Sequence, residues 1–298
     1  MTADRQSDPG GNESSQSSSR PGGNFRRRVA SAAVLAPVGI AAAYLGGWLF
    51  IALCAMAAAL MLWEWTSLVA GDPDPRLLVP GWLALFGAAV LIGQGAPGVA
   101  VGAVAAGAIA VGLIAAVWPT PLAARFGAPW AAGGVVYAGI ALFGPTVLRS
   151  DHRLGFTALL FLFATVWSTD IFAYFSGRAL RGPLLWPRLS PNKTWAGAAG
   201  GTIGGVAAAI LVAYASGLGH LAVLGGLALL LSMLAQAGDL FESAVKRRFG
   251  AKDASGLIPG HGGVMDRLDG FLVAALAAAL IGLFRAGTTA PAVGLLLW

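Results

Sequence analysis

Apolar residues run along this chain in long blocks, separated by short stretches that hold Gly, Pro, Asp or Arg. The blocks fall at about 29–46, 48–70, 77–94, 97–118, 128–148, 155–176, 195–215, 219–241 and 268–286. Each is close to the roughly 20 residues that an α-helix needs to cross the hydrocarbon layer of a bilayer. The pattern predicts an all-α, polytopic transmembrane helical bundle with about nine spans. Residues 1–25 have no apolar period and are rich in Ser, Gly, Asn and Gln. That composition predicts a disordered N-terminal tail. Residues 26–150 are then N-terminal transmembrane helices, and 151–298 form a C-terminal transmembrane region.

Composition agrees with the pattern. The 298 residues are 57% hydrophobic and only 11% charged, against about 25% charged in a soluble domain. Such a chain lacks the polar surface to face water on all sides. Its net charge of +6 reads first as an orientation signal, because Lys and Arg stay on the cytoplasmic side. No soluble aromatic-basic segment suggests a nucleic-acid partner. The one cysteine, Cys54, excludes an intramolecular disulfide.

Arg26, Arg27 and Arg28 precede the first apolar block, in the order of a secretory signal peptide. The length of that block and the spans that follow favour a retained anchor with a cytoplasmic N-terminus. Nine spans then place two basic loops on the same side. One is 177–194, with Arg178, Arg181, Arg188 and Lys193; the other is 242–267, with Lys246, Arg247, Arg248, Lys252 and Arg267.

Charge is unevenly spread. Ten of the 32 charged residues lie between Asp239 and Asp269, five acids among five bases. A connecting loop needs a few cations, not this mixture. Asp239, Glu242, Ser243 and Lys246 follow i, i+3, i+4, i+7 and share one helix face. Asp239 lies at or near hydrocarbon depth, where an acid costs roughly 2.5–3.5 kcal/mol unless a partner, an ion or water offsets it. Asp266 and Asp269 open the ninth span, where a helix N-terminus stabilises carboxylates. Acids from the end of one helix and the start of another can converge on a divalent cation, and all-oxygen ligands suit Mg²⁺. The plainer reading pairs these acids with Lys246, Arg247 and Arg267.

Between the two helix ends runs Gly256-Leu257-Ile258-Pro259-Gly260-His261-Gly262-Gly263. Glycines allow backbone to approach a ligand closely. Metal-binding acids, phosphate-binding bases and such a loop together suggest phosphoryl or nucleotidyl transfer. His261 is either an acid–base or phosphate-binding group or an ordinary hydrogen-bonding loop residue. A second polar patch adds Asp170, another intramembrane acid, and Ser190-Pro191-Asn192-Lys193 just before the seventh helix. That helix N-terminus attracts anions, although Ser190 to Asn192 also reads as a turn and cap. Glu64, between Trp63 and Trp65, reads as an interfacial anchor. Gly197, Gly200, Gly201, Gly204 and Gly205 read as close helix packing.

The string from Ser243 through Lys246-Arg247, Lys252-Asp253 and Ile258-Pro259-Gly260-His261-Gly262-Gly263 to Asp266-Arg267-Leu268-Asp269 resembles the signature of the phosphatidate cytidylyltransferases, or CDP-diacylglycerol synthases. Gly238-Asp239, Ser190 to Thr194 and Trp167 to Asp170 resemble further segments of that family. The likeness covers about 155–286; before residue 150 only hydropathy matches. It implies a Mg²⁺-dependent nucleotidyltransferase of phospholipid biosynthesis, which converts CTP and phosphatidic acid into CDP-diacylglycerol and diphosphate. A monovalent cation such as K⁺ beside the Mg²⁺ and a homodimer are compatible with the family. By position, the metal residues are Asp239, Asp266, Asp269 and Asp170. The catalytic set is Lys246, Arg247, Lys252, Asp253, His261 and Arg267, with Ser190, Asn192, Lys193 and Ser243 binding substrate. The expected location is the cell membrane, with the active-site loops cytoplasmic and acyl chains in the surrounding lipid. A CTP-using lipid kinase, a cytidylyltransferase for another lipid phosphate and an ion-coupled transporter are rival readings. The D-G-x-x-A-R spacing of CDP-alcohol phosphatidyltransferases is absent.

Overall fold

The computed structural model describes residues 21–71, 73–118, 127–257 and 262–298. Its helices are α1 (Pro21–Leu45), α2 (Gly47–Ala70), α3 (Pro75–Gly93), α4 (Pro97–Val117), α5 (Ala128–Arg149) and α6 (Gly155–Leu180). A two-stranded hairpin follows, β1 (Leu184–Trp186) and β2 (Ser190–Thr194), and then α7 (Trp195–Ala215), α8 (Leu221–Arg248), α9 (Met265–Ala286) and a short α10 (Pro291–Leu296). All nine expected helices are present. Eight are long and apolar enough to cross a membrane, and the apolar part of α1, Ala33–Leu45, is shorter. α1 begins at Pro21, inside the stretch assigned to the tail; residues 1–20 lie outside the described residues.

Local sequence sets the helix ends. Asp74 caps α3 by accepting from Arg76 N at 2.9 Å, with Pro75 at the first turn. The Arg76 guanidinium also pairs with Asp74 and holds its carboxyl below the usual carboxylate range. Thr194 caps α7 through Gly197 N at 3.0 Å. Pro97 opens α4, where its missing N–H costs nothing. The loop after α6 contains an antiparallel hairpin, with Leu184 opposite Thr194 and Trp186 opposite Ser190.

α6 and α7 pack most closely. Gly197, Gly201 and Gly205 recur every four residues and so form one face of α7. A Cβ there would lie 2.9 Å from Ala173 O, 2.6 Å from Thr169 O and 2.8 Å from Thr165 O, respectively. The glycine run therefore is a packing surface. Thr169 Oγ1 meets Ser232 Oγ at 2.7 Å and ties α6 to α8. α9 packs on both α8 and α5 and joins the two halves of the chain.

The two ends of the bundle differ. At one end, Arg149 binds the carbonyls of Ala43 and Tyr44. There Asp151 accepts from Arg153 N, Leu154 N and Val293 N. Arg285 binds Leu297 O and lies over the Trp298 ring, which seats α10 on α9. The opposite end gathers the hairpin, the end of α2, the end of α8 and the start of α9.

Candidate active site at the α8–α9 end

Two glycines bring α8 and α9 together below the site. A Cβ on Gly238 would lie 2.8 Å from Asp269 O, and one on Gly270 would lie 2.8 Å from Ala235 O. This approach puts the polar stripe of α8 against the first turns of α9. Asp239, Glu242 and Asp269 each offer a carboxylate oxygen, all within 4.8 Å of one another. Glu242 is 1% exposed, and its buried Oε1 has no hydrogen-bond partner. Like charges so close need a cation.

Lys246 supplies part of it. Its Nζ lies 2.6 Å from Glu242 and 2.5 Å from Asp266. Asp266 stands beside the three-acid group, with both oxygens engaged. Oδ1 takes Lys246, and Oδ2 accepts from Gly263 N at 2.7 Å and Ala254 N at 2.9 Å. The acids that lie closest together are thus Asp239, Glu242 and Asp269, whereas the resemblance pointed to Asp239, Asp266, Asp269 and Asp170. Glu242 was visible on the α8 stripe; its burial and its distance to Asp269 were not.

From the hairpin, Lys193 pairs with Asp239. Asp170 on α6 lies within electrostatic reach of Asp239, Lys193 and Arg267. The second polar patch therefore belongs to the same end of the bundle. Beside it a cleft of about 780 Å³ is lined by Leu185, Trp186, Pro187, Arg188, Trp195 and Leu240.

The remaining sequence candidates occupy the rim. Asn192, Arg247, Lys252, Asp253 and Arg267 are exposed, and Ser190 and Ser243 are half-buried. Arg247 donates to Ala251 O at 3.3 Å. His261, with Ile258 to Gly260, lies outside the described residues.

Two residues of the N-terminal half reach the site. Glu64 is 0% exposed and is no interfacial anchor. It accepts from Ser255 Oγ at 2.6 Å, Val264 N at 2.8 Å and Met265 N at 2.7 Å. An acid inside the apolar α2 block was the available signal, but nothing local named its partners. Tyr137 on α5 packs at a tilt between Trp65 and Phe241, with ring centroids 5.3 and 6.1 Å away. Its buried hydroxyl has no partner and lies within reach of the charges of Asp269, Glu242, Asp239 and Asp266. No sequence signal marked it.

Two glycines of the loop lie against the protein's own acids. A Cβ on Gly262 would meet the Asp266 carboxylate at 2.6 Å, and one on Gly263 would collide with the Glu64 carboxylate. Gly262 has φ of +82°. These two glycines make room for the protein's own acids.

Comparison with known proteins gives the family of the chain. The sequence profile described as "Cytidylyltransferase family" matches residues 26–284. A protein of Brucella suis biovar 1 (strain 1330), named phosphatidate cytidylyltransferase, is 42% identical over 275 residues, 90% of this chain and 97% of its own length. One of Brucella abortus biovar 1 (strain 9-941), with the same name, is 43% identical over 270 residues, 88% of this chain and 94% of its own. A Bacillus subtilis (strain 168) protein of that name is 39% identical over 141 residues, 46% of this chain and 51% of its own. With its profile spanning both halves of the bundle and the acid-and-lysine end inside the match, the chain belongs to the cytidylyltransferase family.

Proposed function

We propose that this chain is a phosphatidate cytidylyltransferase, converting CTP and phosphatidic acid into CDP-diacylglycerol and diphosphate. The observation that carries the reading is the α8–α9 end. There Asp239, Glu242 and Asp269 face one another, with Lys246 and Lys193 each bound to one or more of the site's acids. The long likeness to relatives of that name supports it.

The three acids fit a hard divalent cation, because they present only oxygen ligands and the buried Glu242 Oε1 has no donor. Asp239, Glu242 and Asp269 would hold Mg²⁺, with Asp170 near enough to bias the site. When bound, Mg²⁺ supplies charge neutralisation for phosphate oxygens and orients them.

The chain's own residues do the rest. A phosphatidate oxygen attacks the α-phosphorus of CTP; the new P–O bond forms as the bond to diphosphate breaks, and diphosphate leaves in line. Both substrates are anions, so Lys193, Lys246, Arg247, Lys252 and Arg267 hold phosphates that would otherwise repel. Catalysis is positioning and charge stabilisation, and no covalent intermediate is needed. The site at helix ends lets acyl chains stay in lipid while the headgroup meets soluble CTP. The aromatic, apolar cleft beside Lys193, with Arg188 in its wall, suits the approach of the lipid headgroup. The basic loops support a cytoplasmic position for this end of the bundle, with the chain in the cell membrane.

Purified full-length protein given Mg²⁺, CTP and phosphatidic acid releases diphosphate and forms CDP-diacylglycerol. No release above background from folded protein overturns the reading. The same assay with other lipid phosphates, and with ATP in place of CTP, separates it from the lipid-kinase and other-acceptor alternatives.

A further inference from the structure

Glu64 has no role in the chemistry just described, yet it is a fully buried carboxylate bound to the signature loop. An unpaired charge at such a position is costly, so three good donors and a helix terminus mark a built contact. Its Oε1 accepts from Ser255 and Val264, and its Oε2 from Met265. The next amide, Gly263 N, binds Asp266. Consecutive amides at the start of α9, Gly263, Val264 and Met265, are therefore all bonded to carboxylates. This helix start is not free to cradle a phosphate; it is clamped.

We propose that Glu64 is a positioning residue for cytidylyl transfer, fixing the rotation of α9 so that Asp266 meets Lys246 and Asp269 meets Asp239 and Glu242. The proposal rests on reading those acids and Lys246 as the metal and phosphate site. Asp266 directly follows Met265, and Asp269 lies one turn further on. A rotation of α9 by one residue moves a side chain by about 100° around the axis, since a turn holds about 3.6 residues. The clamp sits within a turn of both acids, so little slack separates it from them. The contact also reaches across 191 to 201 residues of sequence, which makes the N-terminal half part of the site's geometry.

The test uses Glu64→Gln, Glu64→Ala and Ser255→Ala in the full chain, purified in detergent. Glu64→Gln keeps the volume but turns one acceptor into a donor that faces donors. Three measurements are made: amide hydrogen exchange over 262–268, kcat and KM per folded molecule, and the Mg²⁺ concentration for half-maximal activity. For Glu64→Gln we expect faster exchange at Val264 and Met265. We also expect kcat lower by about 10- to 100-fold and a higher half-saturating Mg²⁺, as for residues that orient ligands, while KM for phosphatidic acid changes less than about twofold. A merely structural Glu64 would lower the melting temperature and leave kcat per folded molecule and Mg²⁺ dependence as in wild type; that result overturns the proposal. If the Glu64 variants do not fold, Ser255→Ala decides. Removing that one donor lowers kcat by about 3- to 10-fold at a near-normal melting temperature, and unchanged kcat overturns the proposal. Asp269→Asn runs alongside. If it is inactive while Glu64→Gln is normal, only the positioning role fails; if it is active, the metal-site reading itself fails.

Discussion

The α3–α4 pair and the α8–α9 pair use the same device for different ends. In each, successive helices are drawn together by a glycine with no room for a side chain. A Cβ on Gly107 of α4 would collide with Ala84 Cβ of α3, and one on Gly238 of α8 would meet Asp269 O of α9. Small residues allow such approach where helix association depends on close packing. α4 carries no charged residue, and large side chains such as Val99, Ile109 and Leu113 face outward. Next to Gly238, by contrast, stand Asp239 and Glu242. The glycine contact makes scaffold in one place and a candidate site in the other, and the neighbouring residues decide which.

That comparison can be broken in several ways. The largest effect is expected at the acids: Asp239→Asn or Asp269→Asn lowers kcat by about 10³-fold, the scale of several kcal/mol of transition-state charge stabilisation. Diphosphate release per folded molecule measures it. Lys246→Met comes next. It leaves Glu242 and Asp266 without their shared cation, and breaking such a buried pair costs about 3–5 kcal/mol. We expect loss of turnover together with a clear fall in melting temperature.

The glycines then give the direct contrast. Gly238→Ala pushes α8 from α9, and a shift of about 1 Å at reacting groups can cost about 100-fold in rate. Gly107→Ala, at the matched scaffold contact, lowers the melting temperature through overpacking of about 1–3 kcal/mol but leaves kcat per folded molecule unchanged. Equal catalytic losses in the two variants would erase the distinction. The smallest effect is at Asp74, far from the site: Asp74→Ala removes the α3 cap at about 1 kcal/mol. Because its folded-state pKa is lowered, the Asp74 contribution is present above the ordinary carboxylate range. It fades as pH falls through the lowered value, so the gap between wild type and Asp74→Ala narrows in acid. Melting curves at two pH values check this.

The helices were legible because a span is a local property: length and hydropathy suffice, and all nine expected blocks are helical. The α8 stripe was legible for the same reason, since i, i+3 and i+4 spacing lies within one element. What escaped was long-range or weakly patterned. The hairpin has strands of only three and five residues, and the longer one shows no clean alternation of burial. Whether Asp266 or Glu242 joins Asp239 depends on which oxygens neighbouring amides have already taken, and only the folded loop decides that. Tyr137 is one aromatic residue among apolar neighbours until α5 is set against α8. Glu64 was conspicuous as an acid in an apolar block, but its donors lie in a distant loop.

The Glu64 contact also bears on how the chain is made. α2 is synthesised and enters the membrane long before Ser255, Val264 and Met265 exist. The separation of 191 residues to Ser255 corresponds to about 10–40 s at typical synthesis rates. During that interval α2 carries a carboxylate without its final donors, at a cost of roughly 2.5–3.5 kcal/mol if held at mid-span depth. The early helices are thus left waiting for the last two, and a chain truncated before α9 would retain an acid in α2 without these donors.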